Sequence, residues 1–160
     1  MANLVPMNAP DPDRETHGEI QQRGRFMGID LGAARVGIAL SDLSGLLASP
    51  MQALRRGESD EAMINQILEL AEIEEVSAIV IGIPINLTPS KNIAENSTRK
   101  FMAELASKTS LPVIGYDERF TTVIASKRLR ESGHNSKTMK SKIDAMAAAE
   151  ILQSYLDSRA

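Results

Sequence analysis

Residues 26–42 read FMGIDLGAARVGIALSD, and this stretch decides the fold. Two apolar runs, Phe26–Ile29 and Val36–Leu40, flank the turn Leu31-Gly32-Ala33-Ala34-Arg35. An apolar run, a glycine-bearing turn and a second apolar run predict a β-hairpin. Asp30 stands where the first strand ends, among apolar neighbours. A charge in that setting needs a partner or a metal, while aspartate is also a common turn residue. The hairpin alone leaves both roles open.

Working outward, residues 41–57 supply a third meander strand near Leu46–Leu54, with Pro50 favouring an edge position. Ser59 can cap a helix, with Asp60 and Glu61 in its first turn and Ile64, Ile67, Leu68 and Ala71 on one apolar face. Val76 to Ile83 is a nearly unbroken apolar run of β-branched residues, the pattern of a strand buried on both faces. Ile85 to Lys91 reads as a loop, and Ile93, Ser97, Phe101 and Leu105 recur every four residues as a second helix. A further strand, Leu111–Tyr116, runs into Asp117-Glu118-Arg119. Thr121 or Thr122 can cap a third helix reaching Arg130 and closing near Gly133. His134–Ser141 reads as a flexible basic loop before a last helix from about Lys142 to Asp157, with Asp144, Ala148, Ile151 and Tyr155 on one face. The polar residues 1–25, with Pro6, Pro10 and Pro12, are expected to form a disordered tail before a domain spanning residues 26–158. The order βββαβαβαα predicts an α/β fold with a mixed central sheet flanked by helices.

Composition narrows the chemistry. The 160-residue chain has no cysteine, which excludes a thiolate nucleophile and Cys-ligated zinc. Its two histidines, His17 and His134, lie in polar segments. Carboxylates are left as the candidates. The longest apolar run is too short to span a bilayer, and no signal-peptide pattern opens the chain, so the expected location is cytoplasmic. The net charge of −3 hides a segregation: residues 58–75 carry −7, residues 119–142 carry +6. A one-sided basic segment is the footprint of a polyanion binder, or simply a solvated helix face.

Three acidic positions are misplaced for a structural role. Asp30 closes one buried strand, Asp117 and Glu118 close another, and Asp144 shares a helix face with Ala148 and Ile151. Ligands of α/β sheets gather at the carboxyl ends of the strands. If the first and fourth strands are parallel neighbours, Asp30 and Glu118 meet there and the last helix brings Asp144 beside them. Carboxylates so placed repel one another and call for a proton or a cation. Oxygen ligands without His or Cys suit Mg²⁺ or Mn²⁺. Two such ions about 4 Å apart can activate water and stabilise the leaving oxygen of a phosphodiester.

Gly28-Ile29-Asp30-Leu31-Gly32, Arg35-Val36-Gly37-Ile38-Ala39, Val80-Ile81-Gly82-Ile83-Pro84, Asp117-Glu118-Arg119-Phe120-Thr121-Thr122 and the run from Asp144 to Asp157 resemble, in order, the signatures of the YqgF family of Holliday junction resolvases, also called RuvX. The resemblance implies an RNase H-like fold and a divalent-metal nuclease. It also implies roles in maturing the 5′ end of precursor 16S ribosomal RNA or in resolving branched DNA. Carried over by position, it makes Asp30, Glu118 and Asp144 metal ligands and catalytic residues. Arg35 and Arg119, with Lys140 or Lys142, would face the phosphates. Ile85–Lys91 departs from the pattern, lacking the Asp-Gly that usually follows Gly-Ile-Pro.

The expected partners are structured RNA or branched DNA, bound by shape, since an aromatic content of 3% leaves little for base stacking. An ATP-binding enzyme of the actin and sugar-kinase type shares an Asp-x-Gly hairpin, but its nucleotide sits between two lobes and this chain has length for one. A non-catalytic factor binding RNA or protein through the basic face is the other alternative. A strand edge or the apolar end of the last helix offers a route to a homodimer.

Overall fold

The computed structural model describes residues 24–159, apart from 58, 124, 126, 129–131 and 133–135. Strands β1 (Arg25–Leu31), β2 (Arg35–Ser41), β3 (Ala48–Arg55), β4 (Val76–Ile83) and β5 (Val113–Asp117) form one sheet in the order β3-β2-β1-β4-β5. The hairpin β1–β2 and the pair β2–β3 are antiparallel, while β1–β4 and β4–β5 are parallel. The sheet is therefore mixed, and the meander strand holding Pro50 lies at its edge as expected. The parallel pairing of β1 with β4 also holds.

Side chains alternate across a strand, and that period sorts the sheet into two faces. Met27, Ile29, Val36, Ile38, Ile79 and Ile81 pack under helices α1 (Asp60–Ile73) and α2 (Ile93–Ser107). Phe26, Ala39, Ala78 and Val80 pack under α3 (Lys137–Ser158). Asp30, two residues beyond Gly28 and four beyond Phe26, belongs to the α3 face by the same count. So do Arg35 and Gly37, four and two residues before Ala39. Ser59 caps α1, its hydroxyl accepting from the Ala62 amide at 3.2 Å.

Several details differ from expectation. The last helix starts at Lys137, not Lys142, because Ser136 caps it by accepting from the Met139 amide; Lys137–Ser141 is helix, not loop. In α2 the buried face runs through Thr98, Phe101 and Leu105, and Ser97 is exposed. The strand expected over Leu111–Tyr116 runs from Val113 to Asp117, and the loop Ile85–Lys91 contains a 3₁₀ turn at Pro89–Lys91. A 3₁₀ turn, Glu118–Phe120, also separates β5 from a helical stretch that includes Val123, Ala125, Lys127 and Arg128. The expected tail, up to residue 23, lies outside the described residues, as do the expected helix end at Arg130 and Gly133 and the start of the basic loop at His134. Among the described residues no helix is long and apolar enough to cross a membrane.

Candidate active site

The site is built where α3 crosses the hairpin. Helix and sheet approach closely because the facing strand positions are glycines. A Cβ on Gly28 would lie 2.7 Å from the Leu152 Cβ and 2.8 Å from the Ala148 carbonyl oxygen. One on Gly37 would collide with the carbonyl oxygen of Asp144. Gly37 is the cross-strand partner of Asp30, so this contact sets Asp144 over the end of β1.

Glu118 is positioned by its own turn. The Asp117 carboxylate accepts from the Arg119 amide at 2.9 Å, while the Thr121 amide and hydroxyl both donate to the Glu118 carbonyl, at 3.0 and 2.7 Å. Ser154 of α3 ties down the far side, donating to the Phe120 carbonyl at 3.1 Å and sharing a 2.8 Å hydrogen bond with the Tyr116 hydroxyl. The 117–121 stretch is thus a compact turn whose hydrogen bonds fix the backbone that carries the Glu118 carboxylate.

Asp30, Glu118 and Asp144 are 1, 5 and 1% exposed. Ionised carboxylates this buried need compensation, and two cations supply it. The Lys127 ammonium lies 2.9 and 3.0 Å from the two Glu118 oxygens and 3.5 Å from Asp30 Oδ1. Arg35 Nε donates to Asp144 Oδ2 at 2.7 Å. Burial pushes the Glu118 carboxyl above its ordinary range; the Lys127 charge pulls it back and the Asp30 carboxylate adds to the rise. Burial acts to lower the Lys127 pKa, but Asp30 and Glu118 outweigh it and hold the ammonium above its ordinary value.

The structure thus joins Asp30 and Glu118 through a shared cation and sets Asp144 beside them, its carboxylate turned to Arg35. Lys127 was not singled out by sequence reading. The signal was its spacing: it stands one helical turn after the fully buried Val123 and so on the inward face. The expected phosphate contacts spread wider. Arg119 is half exposed and grips Asp117, with its Nη2 2.7 Å from Oδ2; this holds the Asp117 carboxyl below its ordinary pKa. Lys140 is half-buried on α3, and Lys142 faces β3 across a groove lined by Pro50, Met51 and Met146.

The donor chemistry fits a hard divalent cation: buried carboxylate oxygens, two of them already gathered round a positive charge. As they stand, no three acidic or imidazole groups among the described residues are close enough to hold an ion together.

Comparison with known proteins agrees with this architecture. The RuvX family, described as Holliday junction resolvase, matches residues 24–158. A protein of Mycobacteroides abscessus named "Putative pre-16S rRNA nuclease" is 38% identical over 152 residues, covering 94% of this chain and 91% of its own. One of the same name from an Anaeromyxobacter species is 39% identical over 135 residues, covering 84 and 98%. Among solved structures, Thermus thermophilus RuvC in complex with a Holliday junction superposes with a TM-score of 0.53 over 85% of this chain and 95% of its own, at 15% identity. That likeness carries the RNase H-like fold. With its sheet, its glycine-lined helix crossing and its three buried carboxylates all inside the matched span, the chain belongs to the RuvX family.

Proposed function

We propose that this chain is a divalent-metal-dependent endonuclease that matures the 5′ end of precursor 16S ribosomal RNA. One observation carries the reading. Three carboxylates from β1, from the turn after β5 and from α3 are buried on one face of the sheet, at the carboxyl ends of parallel strands, and each is held by a cation. Buried acids that need positive charge to stay ionised are what a phosphodiesterase offers to Mg²⁺ or Mn²⁺. The names of the relatives support RNA as the substrate.

In this reading Asp30, Glu118 and Asp144 would hold the metal, with Asp144 released from Arg35. When bound, the metal supplies water activation and charge stabilisation at the leaving oxygen. Arg35, released from Asp144, would face the phosphate. Arg119, Lys140 and Lys142 extend the contact along the backbone, so binding is salt-sensitive. The family's description favours a second substrate, a branched DNA junction, acted on by the same residues.

Purified protein with Mg²⁺ or Mn²⁺, offered precursor ribosomal RNA ends, four-way DNA junctions and plain single strands, tests both. Cleavage should be metal-dependent and strongest on the RNA ends. Asp30→Asn should abolish it while binding survives. Equal cleavage by the variant would overturn the mechanism, and preference for junctions would shift the substrate to DNA.

A further inference from the structure

We propose that Lys127 is a built-in cation that holds the Asp30–Glu118 pair in the metal-free protein and must leave when a divalent ion enters. The inference rests on the metal-site reading above and concerns the order of events at that site. Its ground is geometric. The Lys127 ammonium is 2.9 Å from Glu118 Oε2, 3.0 Å from Oε1 and 3.5 Å from Asp30 Oδ1, in the position from which one charge reaches both acids. Both carboxylates are nearly sealed from solvent, and the lysine side chain itself is only 26% exposed.

A compact ammonium and a hydrated divalent ion cannot share one pair of carboxylates. Without either cation, two buried acids repel each other at close range, which is costly. The lysine therefore does without the metal what the metal would do when bound. Its departure has a second consequence. Lys127 sits on a helical stretch whose next residue is Arg128, inside the basic segment of the chain. Metal entry frees an ammonium at the edge of the site and turns it toward solvent, where a polyanion would bind. Metal and nucleic acid then help each other to bind, through a residue that ligates neither in the metal-free state.

Calorimetric titration of Mn²⁺ into the full chain, without nucleic acid, tests this on wild type, Lys127→Met, Lys127→Gln and Lys100→Met. The last removes a charge from an exposed position on α2. Removing the competitor should tighten Mn²⁺ binding about tenfold in both Lys127 variants, a free-energy change of about 1.4 kcal/mol. Lys100→Met should match wild type. In thermal melts the Lys127 variants should be less stable than wild type without metal and gain more from Mn²⁺. Gln keeps a neutral donor beside both acids and covers the case in which Met folds only with metal. If wild type binds Mn²⁺ and the Lys127 variants bind it equally or more weakly, the displacement is refuted and the metal site stands. If none of the four binds Mn²⁺, the metal site and the displacement fall together.

Discussion

Gly37 and Asp144 meet backbone to backbone: the helix carbonyl lies where a side chain on the strand would begin. The contact joins the hairpin to α3 at the level of Asp30, the cross-strand partner of Gly37. Gly37→Ala inserts a methyl group against backbone, which cannot rotate away, so the helix must lift. Such overpacking costs about 1–3 kcal/mol. Chemical denaturation should show that loss, and cleavage should fall further than stability alone explains, because Asp144 moves with the helix. A variant as stable and active as wild type would mean that the crossing is looser than described.

Arg35 and Asp144 form the second internal pair, with Nε 2.7 Å from Oδ2. The carboxylate side chain is 2% exposed and the arginine 22%, so the aspartate depends on the pair far more. Arg35→Met should destabilise the metal-free protein by about 2 kcal/mol, below the usual cost of breaking a fully buried pair because water reaches the arginine. Arg35→Met combined with Asp144→Asn should recover part of the loss in a double-mutant cycle. Additive losses would show that the two do not act as a pair.

The hairpin, the edge strand, the two-faced β4 and the cap at Ser59 were all legible in the sequence, because each is written in local periodicity or turn chemistry. The three acids stood out for the same reason: they occupy positions whose neighbours in the pattern are core. What escaped was tertiary. The first turns of α3, Lys137-Thr138-Met139-Lys140, are largely exposed and carry no apolar period, so only the Ser136 cap marked the true start. The pairing of Asp144 with Arg35 spans 109 residues and follows from the helix crossing, which no local pattern records. Lys127 was hidden by its company, one cation in a run of them, and only its one-turn spacing from Val123 set it apart.

Asp42 gives the fold a pH dependence at the acid end. Its carboxylate accepts from the Ser44 hydroxyl and from the amides of Leu47 and Leu46, closing the β2–β3 turn, and these bonds lower its pKa from 3.8 to about 2. A carboxyl with a depressed folded pKa binds protons more readily when unfolded, so protonation favours unfolding. The contribution of Asp42 is therefore fully present above pH 3.8 and is lost as the pH falls from there through about 2. Asp42→Asn should be less stable than wild type at neutral pH, with the two melting curves converging over that acid window. Parallel curves down to pH 2 would show that the turn does not depend on the charge.

Arg35 and Arg55 are cross-strand partners on β2 and β3, and with Lys137 of α3 they line a cleft of about 240 Å³. Like charges directly opposite one another destabilise a sheet, so this arrangement works against the free protein and in favour of an anion. Arg55 was not among the expected phosphate contacts, yet it stands beside Arg35, which holds Asp144. Arg55→Thr should leave the free protein at least as stable as wild type, because it relieves the repulsion. It should weaken binding of a nucleic-acid substrate and lower the slope of log affinity against log salt by about 0.7–0.9, the release of one counterion. Charge reversal at Lys137, Lys140 and Lys142 should weaken binding further and flatten the slope again. Loss of stability with an unchanged salt slope would make Arg55 a structural residue and leave the phosphates to the other basic residues.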